Sequence, residues 1–209
     1  MAALALVLYV VYLALTVGLR MLIQARQTGS TGFHGLAGRP GSAEWVAGVS
    51  FTLALLVGAA APLLALLDLV EPVAALDTTA VHVVGLVLAV AGIGATFYAQ
   101  VAMGASWRIG VDEGERTQLV TSGPFALVRN PIFSAMIPTA LGLTLLVPSW
   151  VAFVGLVGLF LALELQVRVV EEPYLLQVHR DAYGSYAARV GRFAPGIGRI
   201  TTGSVVRSD

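Results

Sequence analysis

Cysteine and lysine are both missing from the 209 residues. The first absence excludes disulfides, thiolate catalysis and any cysteine-held metal or cluster. The second makes all 12 basic residues arginines, which stay charged at any working pH. Histidine is scarce: His34, His82 and His179 lie too far apart for metal-ligand spacing, so no metal site is expected. Charged residues make up only 11%, and the net charge of zero predicts no nucleic-acid partner. The chain has no strand followed by a GxGxxG turn and helix, and no Walker pattern, so neither a soluble dinucleotide fold nor a P-loop is supported.

What the chain does have is apolar length. Hydrophobic residues make up 57% and mean hydropathy is +0.86, far from soluble averages. These values predict an all-α, polytopic membrane helix bundle with about five spans, since about 20 apolar residues cross the hydrocarbon core. The expected spans run from about Ala2 to Ile23, Trp45 to Leu67, Ala80 to Met103, Ile132 to Val147 and Trp150 to Val170. The last two form a hairpin broken at Pro148-Ser149. The fourth is short, roughly 24 Å by helical rise, and contains Pro138. Residues 1–209 read as a single membrane domain, with polar segments at 104–131 and 171–199.

All 12 arginines fall on one side of this map, while the loop between spans two and three carries Asp68, Glu71 and Asp77 without an arginine. By the positive-inside rule the C-terminus and the polar segments are cytoplasmic and the N-terminus lies outside. Met1 to Ile23 lacks a basic leading region and reads as the first span, not as a cleaved signal peptide. Gln27 to Ser42, rich in Gly, Ser and Thr, reads as a flexible connector. Gly92 and Gly94 in the third span read as small residues that allow close helix contact.

Polar groups held where helices leave a bilayer are costly unless they bind something, which draws attention to the two cytoplasmic segments. In the fifth span Glu164, Arg168 and Glu171 are spaced i, i+4 and i+7 and share one helix face. Glu164 lies roughly 21 Å along the axis from Trp150, still at hydrocarbon depth. A structural Glu164–Arg168 pair and a substrate-facing role explain this equally well. Arg129, Asn130 and Pro131 taken singly are explained by the positive-inside rule and by the preference for X-Pro at helix starts. The ordered combination is more telling: Gly123-Pro124-Phe125, then Arg129-Asn130-Pro131-Ile132-Phe133, a membrane hairpin, Glu171-Glu172 with Leu175, Tyr183 with Tyr186, and Pro195.

That combination resembles the isoprenylcysteine carboxyl methyltransferase family and its relatives, the membrane phospholipid methyltransferases. Members typically show Gly-Pro-Tyr, Arg-His-Pro-x-Tyr, a helical hairpin, Glu-Glu-x-x-Leu and a Tyr-x-x-Tyr pair near a proline. The resemblance covers about the C-terminal half. Three positions depart from it: Asn130 stands for histidine, Phe133 for tyrosine, and Arg180 where glycine is common before the tyrosine pair.

The resemblance implies an S-adenosylmethionine-dependent methyltransferase with its cofactor in a pocket built by the C-terminal segments. The absence of lysine beside abundant alanine, glycine, valine and arginine points to a bacterial source and so to the cytoplasmic membrane. A lipophilic small-molecule or lipidated acceptor would enter from the membrane lipids. Gly123, Pro124, Asn130, Pro131, Phe133, Glu171, Glu172, Tyr183 and Tyr186 are the implied cofactor-binding residues. Aromatic faces and carboxylates suit a sulfonium and an amino group. Arg129, Arg168 and Glu164 are the expected catalytic group, with arginine suited to a carboxylate. Methyl transfer needs alignment more than proton transfer, and an acceptor carboxylate is already ionised at neutral pH. The missing motif histidine therefore favours carboxyl O-methylation of an isoprenoid or other lipid-like acid. Two other classes stay open: an NADPH-dependent membrane reductase of the sterol type, and a non-catalytic scaffold or accessory protein.

Overall fold

The computed structural model describes residues 1–33, 35–36, 38–109 and 118–200; His34, Arg116 and Arg207 of the sequence reading lie outside them. Within the described residues the chain is helical, with β pairing confined to isolated bridges. Helix α1 spans Ala2–Thr28, α2 Ala43–Leu66, α3 Thr79–Ala102 and α4 Pro131–Leu146. Helix α5, Trp150–Leu165, continues through a wide π turn at Gln166–Glu171 into α6, Glu172–Arg189. Four helical stretches are long and apolar enough to cross a bilayer: α1, α2, α3 and the run Trp150–Arg189. The 16-residue α4 is the short member, as its sequence predicts. This is a polytopic helical bundle of an integral membrane protein.

Local chemistry sets the helix starts. The hydroxyls of Ser42, Thr78 and Ser149 accept from the backbone N–H of Trp45 (3.2 Å), Val81 (3.4 Å) and Ala152 (3.3 Å), capping α2, α3 and α5. Pro131 begins α4, where its missing N–H costs nothing. Apolar side chains such as Val7, Leu53, Val87, Val154 and Leu161 point outward, as lipid-facing residues do.

Burial of apolar surface does not drive helices together in lipid, so close packing must do so. Between α3 and α4 it is done by absent side chains. A Cβ on Gly142 would come within 2.5 Å of the Gly85 carbonyl oxygen, and one on Gly92 within 2.7 Å of the Thr139 nitrogen. Gly92 thus fills its expected role, whereas Gly94 has nothing within 4 Å and packs against no neighbour. Gly155 brings α5 against Val57 and Gly58 of α2 in the same way. Tyr12, Ile93, Met136, Leu159 and Leu163 form the core where these helices converge.

Arg20 is 1% exposed and ties two helices together. Its Nε donates to the Gln100 carbonyl (3.3 Å) and its Nη2 to that of Gly104, while Gln24 Nε2 donates to the Ala105 carbonyl (2.8 Å). The orphan carbonyls at the end of α3 are therefore capped from α1, with a cation at the negative end of the helix dipole.

Two sequence expectations are corrected. Glu164 and Arg168 keep one face and pair with each other, whereas Glu171 leaves it across the π turn at Gln166–Glu171 and lines the cavity. The Gln27 to Ser42 connector is also no free tether in its described part. Ile109 N–H donates to the Gly32 carbonyl (2.7 Å), and Gly32, at φ 69°, sits where a Cβ would meet the Trp107 carbonyl oxygen at 3.1 Å.

Helix α6 is broken at Arg180, whose backbone takes φ 43°, ψ −120°. An L side chain is strained there and glycine is not, which explains why the resembling family commonly has glycine at this position. Arg180 is exposed, so Arg180→Gly removes strain without removing packing. The greater freedom of glycine in the unfolded chain offsets part of the gain. A net stabilisation of about 1 kcal/mol is expected, read as a higher Tm in detergent.

Candidate active site

The end of the bundle where α4 begins and α6 ends is built around one carboxylate. Glu172, 7% exposed, accepts from Arg129 Nη2 (2.7 Å) and from Arg192 Nε (2.8 Å) and Nη2 (2.9 Å). Arg129 also donates from Nη1 to the carbonyls of Ala187 (3.1 Å) and Val190 (2.6 Å), and from Nη2 to that of Gly198 (3.0 Å). Burial pushes the Glu172 carboxyl up, but hydrogen bonds and charge from Arg192 and Arg129 more than offset this and hold it below its usual range. The segment after α6 is thereby folded back onto the start of α4. Arg129 N–H donates to the Gly191 carbonyl (2.8 Å), and Asn130 donates twice to that of Arg192, from N (3.1 Å) and from Nδ2 (3.3 Å).

The Gly123-Pro124 pair opens a 3-10 turn, Gly123–Ala126, with Gly123 at φ 59°. The turn buries Phe125, whose carbonyl accepts from the Tyr186 hydroxyl (2.6 Å). Tyr183 and Tyr186 stand edge to face with centroids 6.1 Å apart. Burial pushes the Tyr186 hydroxyl up to about 12, so it stays protonated and keeps this bond at neutral pH.

A cavity of about 560 Å³, within the ligand-binding range, lies against this framework. Arg129, Asn130, Pro131, Phe133, Glu171, Tyr183 and Tyr186 all line it. Gly123, Pro124, Glu172, Glu164 and Arg168 are not among its lining residues. Those last two pair with each other (Arg168 Nε to Glu164 Oε2, 2.5 Å), and Glu164 Oε2 lies 3.9 Å from Arg192 Nη1. Successive helical positions point apart, and the adjacent acids divide accordingly: Glu172 faces the arginines and Glu171 the cavity. Glu171 is pushed up to about 7, mainly by burial, with Arg108 pulling it down and Glu172 pushing it up.

Two lining residues were not singled out as site residues in the sequence. Tyr174, three residues beyond Glu171 and so on the same helix face, carries the Arg108 guanidinium 4.8 Å above its ring. The i, i+3 spacing marks Tyr174, but no local pattern brings Arg108 beside it. The cavity's other end is apolar, walled by Tyr12, Leu13, Val17, Phe51, Leu55 and Met136 from α1, α2 and α4.

The phospholipid methyltransferase family model matches residues 80–182, from the start of α3 into α6. No curated protein matches the chain. Over the matched segment the chain carries the pattern of that family. The resemblance read from its motifs is borne out over that segment, and the match suggests a membrane methyltransferase.

Proposed function

We propose that the protein transfers a methyl group from S-adenosylmethionine to a lipophilic acceptor that reaches the cavity from the bilayer, at the cytoplasmic face of a bacterial inner membrane. The observation that carries this reading is the continuity of the cavity, whose wall joins the motif residues to bilayer-embedded apolar side chains.

The donor set fits the cofactor. Glu171 offers a carboxylate to its amino group or sulfonium, and Tyr174, Tyr183, Tyr186 and Phe133 offer aromatic walls. When bound, S-adenosylmethionine supplies a methyl group on a cationic sulfur. Asn130, held through Arg192, shapes the wall beside Phe133 and needs no titration to do so. Arg129 acts as a positioning residue, since the two terminal nitrogens of its guanidinium are taken up by Glu172 and three carbonyls. Arg108 is the cavity cation suited to orienting an acceptor carboxylate, and carboxyl O-methylation of an isoprenoid or other lipid-like acid needs no base. Glu171 supports a second reading. A carboxylate that titrates near 7 takes a proton at neutral pH, which an amine lipid or phenol acceptor requires.

Calorimetric titration with S-adenosylmethionine, S-adenosylhomocysteine and NADPH tests the class. Binding of the sulfur pair alone is expected; NADPH alone would move the protein to the reductases, and no binding to an accessory role. Methyl transfer to an acid and not to its amine analogue would select the first acceptor reading, and the converse the second.

The titration also has a predicted pH profile. Affinity for S-adenosylmethionine rises by up to tenfold per pH unit as Glu171 ionises on the way to about 7, then levels. For the protein alone the sign is opposite. The fold holds this proton more tightly than the unfolded chain, so the contribution of Glu171 to stability falls as pH rises from 4.5 to about 7. Glu171→Gln should flatten both profiles and weaken cofactor binding about tenfold or more.

A further inference from the structure

A second, smaller cavity of about 50 Å³ lies deeper in the bundle, between α1, α2, α4 and α5. Its wall runs along α4 from Met136 to Thr144, about 12 Å of helical rise toward the far side of the membrane. Tyr12, Leu55 and Met136 line both cavities, so these three side chains are the partition between them. Tyr12 and Met136 are 6% and 5% exposed, held by the core cluster they belong to. The partition closes the apolar end of the larger cavity, opposite Glu171 and Arg108.

We infer that Tyr12, Leu55 and Met136 set the longest apolar chain the methyl acceptor can carry, stopping its tail at the floor of the main cavity. This rests on the lipophilic-acceptor reading and adds the determinant of chain length. Two of the three residues, Tyr12 and Leu55, lie in the N-terminal part of the chain, outside the segment matched by the methyltransferase family. The length limit is thus carried mostly by α1 and α2, with Met136 of α4 joining it to the matched segment. An acceptor seated with its polar head toward Arg108 and Glu171 points its tail at the partition. Each methylene buried along the way raises affinity roughly fourfold, and one that meets the partition adds nothing. Met136 is the removable part of this wall, being unbranched and contributed from one side. Shortening it to alanine joins the two cavities, and phenylalanine in its place thickens the wall.

The test uses the full-length protein in detergent with straight-chain carboxylic acids and primary amines, graded in length from octyl to eicosyl. Two readouts are taken: the shift in unfolding temperature each compound causes, and methyl transfer from radiolabelled S-adenosylmethionine. For the wild type, affinity should climb by roughly fourfold per methylene and then break at one length. Met136→Ala should move the break to longer chains, and Met136→Phe to shorter ones or to the same length with weaker binding. No break in the wild type, or a break that neither variant moves, overturns the inference whatever methyl transfer does. A break that moves in the thermal shifts while no compound is methylated upholds the partition and defeats the methyltransferase reading instead.

Discussion

The Glu172→Ala protein is expected to lose both its C-terminal ordering and its affinity for S-adenosylmethionine. The deleted carboxylate accepts three hydrogen bonds from Arg129 and Arg192. Arg129 is 5% exposed, so its charge would be left buried without a counter-ion. Breaking such a pair from one side costs about 3–5 kcal/mol, a large share of a typical folding free energy. The cost falls on the contacts that set the Arg129-Asn130-Pro131 wall of the cavity, because Ala187, Val190 and Gly198 are all tied to the same guanidinium. Glu172→Gln keeps the shape and part of the acceptor capacity, so its loss should be intermediate. The pH dependence separates charge from shape. The fold holds Glu172 below its ordinary pKa, so its stabilisation is complete above the ordinary carboxylate range and is lost as pH falls through the depressed value. Hydrogen exchange over residues 191–200 should show the wild type opening in acid. Glu172→Gln should be open to a similar degree at every pH. Equal protection in both proteins at neutral pH would refute the clamp.

Gly142→Leu should prevent the bundle from assembling. The Cβ alone would reach 2.5 Å from the Gly85 carbonyl oxygen, and the other near neighbours on that side are backbone atoms of Ala89. No side chain can swing away to make room, so α3 and α4 must part along their whole contact. Overpacking in a core costs about 1–3 kcal/mol where side chains can yield; against backbone the cost should exceed that range. Gly94→Leu is the matched control, since nothing lies within 4 Å of a Cβ there. Size-exclusion profiles and thermal unfolding in detergent should separate the two. A Gly142→Leu protein as stable as Gly94→Leu would show that the α3–α4 contact has been misread.

The helices were legible because apolar run length is a property of the linear chain; the expected spans end within a few residues of observed helices, except that α1 and the last helix run on beyond the expected spans, to Thr28 and Arg189. The motif residues were legible as a set and not as individuals. Glu171 and Glu172 are indistinguishable in sequence, and which of them meets the cavity depends on the helix phase set by the π turn, which leaves no local pattern. Glu164 and Arg168 pair with each other outside the cavity lining, and the expectation that Glu171 continues their face assumed 3.6 residues per turn throughout. Arg108 and Met136 were passed over because their roles come from contacts far along the chain. Arg180 was noticed as a departure, but its meaning lies in a dihedral angle.

A π turn amounts to one surplus residue that a helix absorbs by widening instead of breaking. Successive positions on an α-helix point about 100° apart. Two neighbouring glutamates at the exit of the wide turn therefore serve two directions at once, one acid anchoring the arginine framework and the other left to the cavity. The wide turn sets the phase at which this pair arrives, and a shift of register by one residue would put Val170 or Pro173 in one of the two places and leave either the cavity or the arginines without an acid.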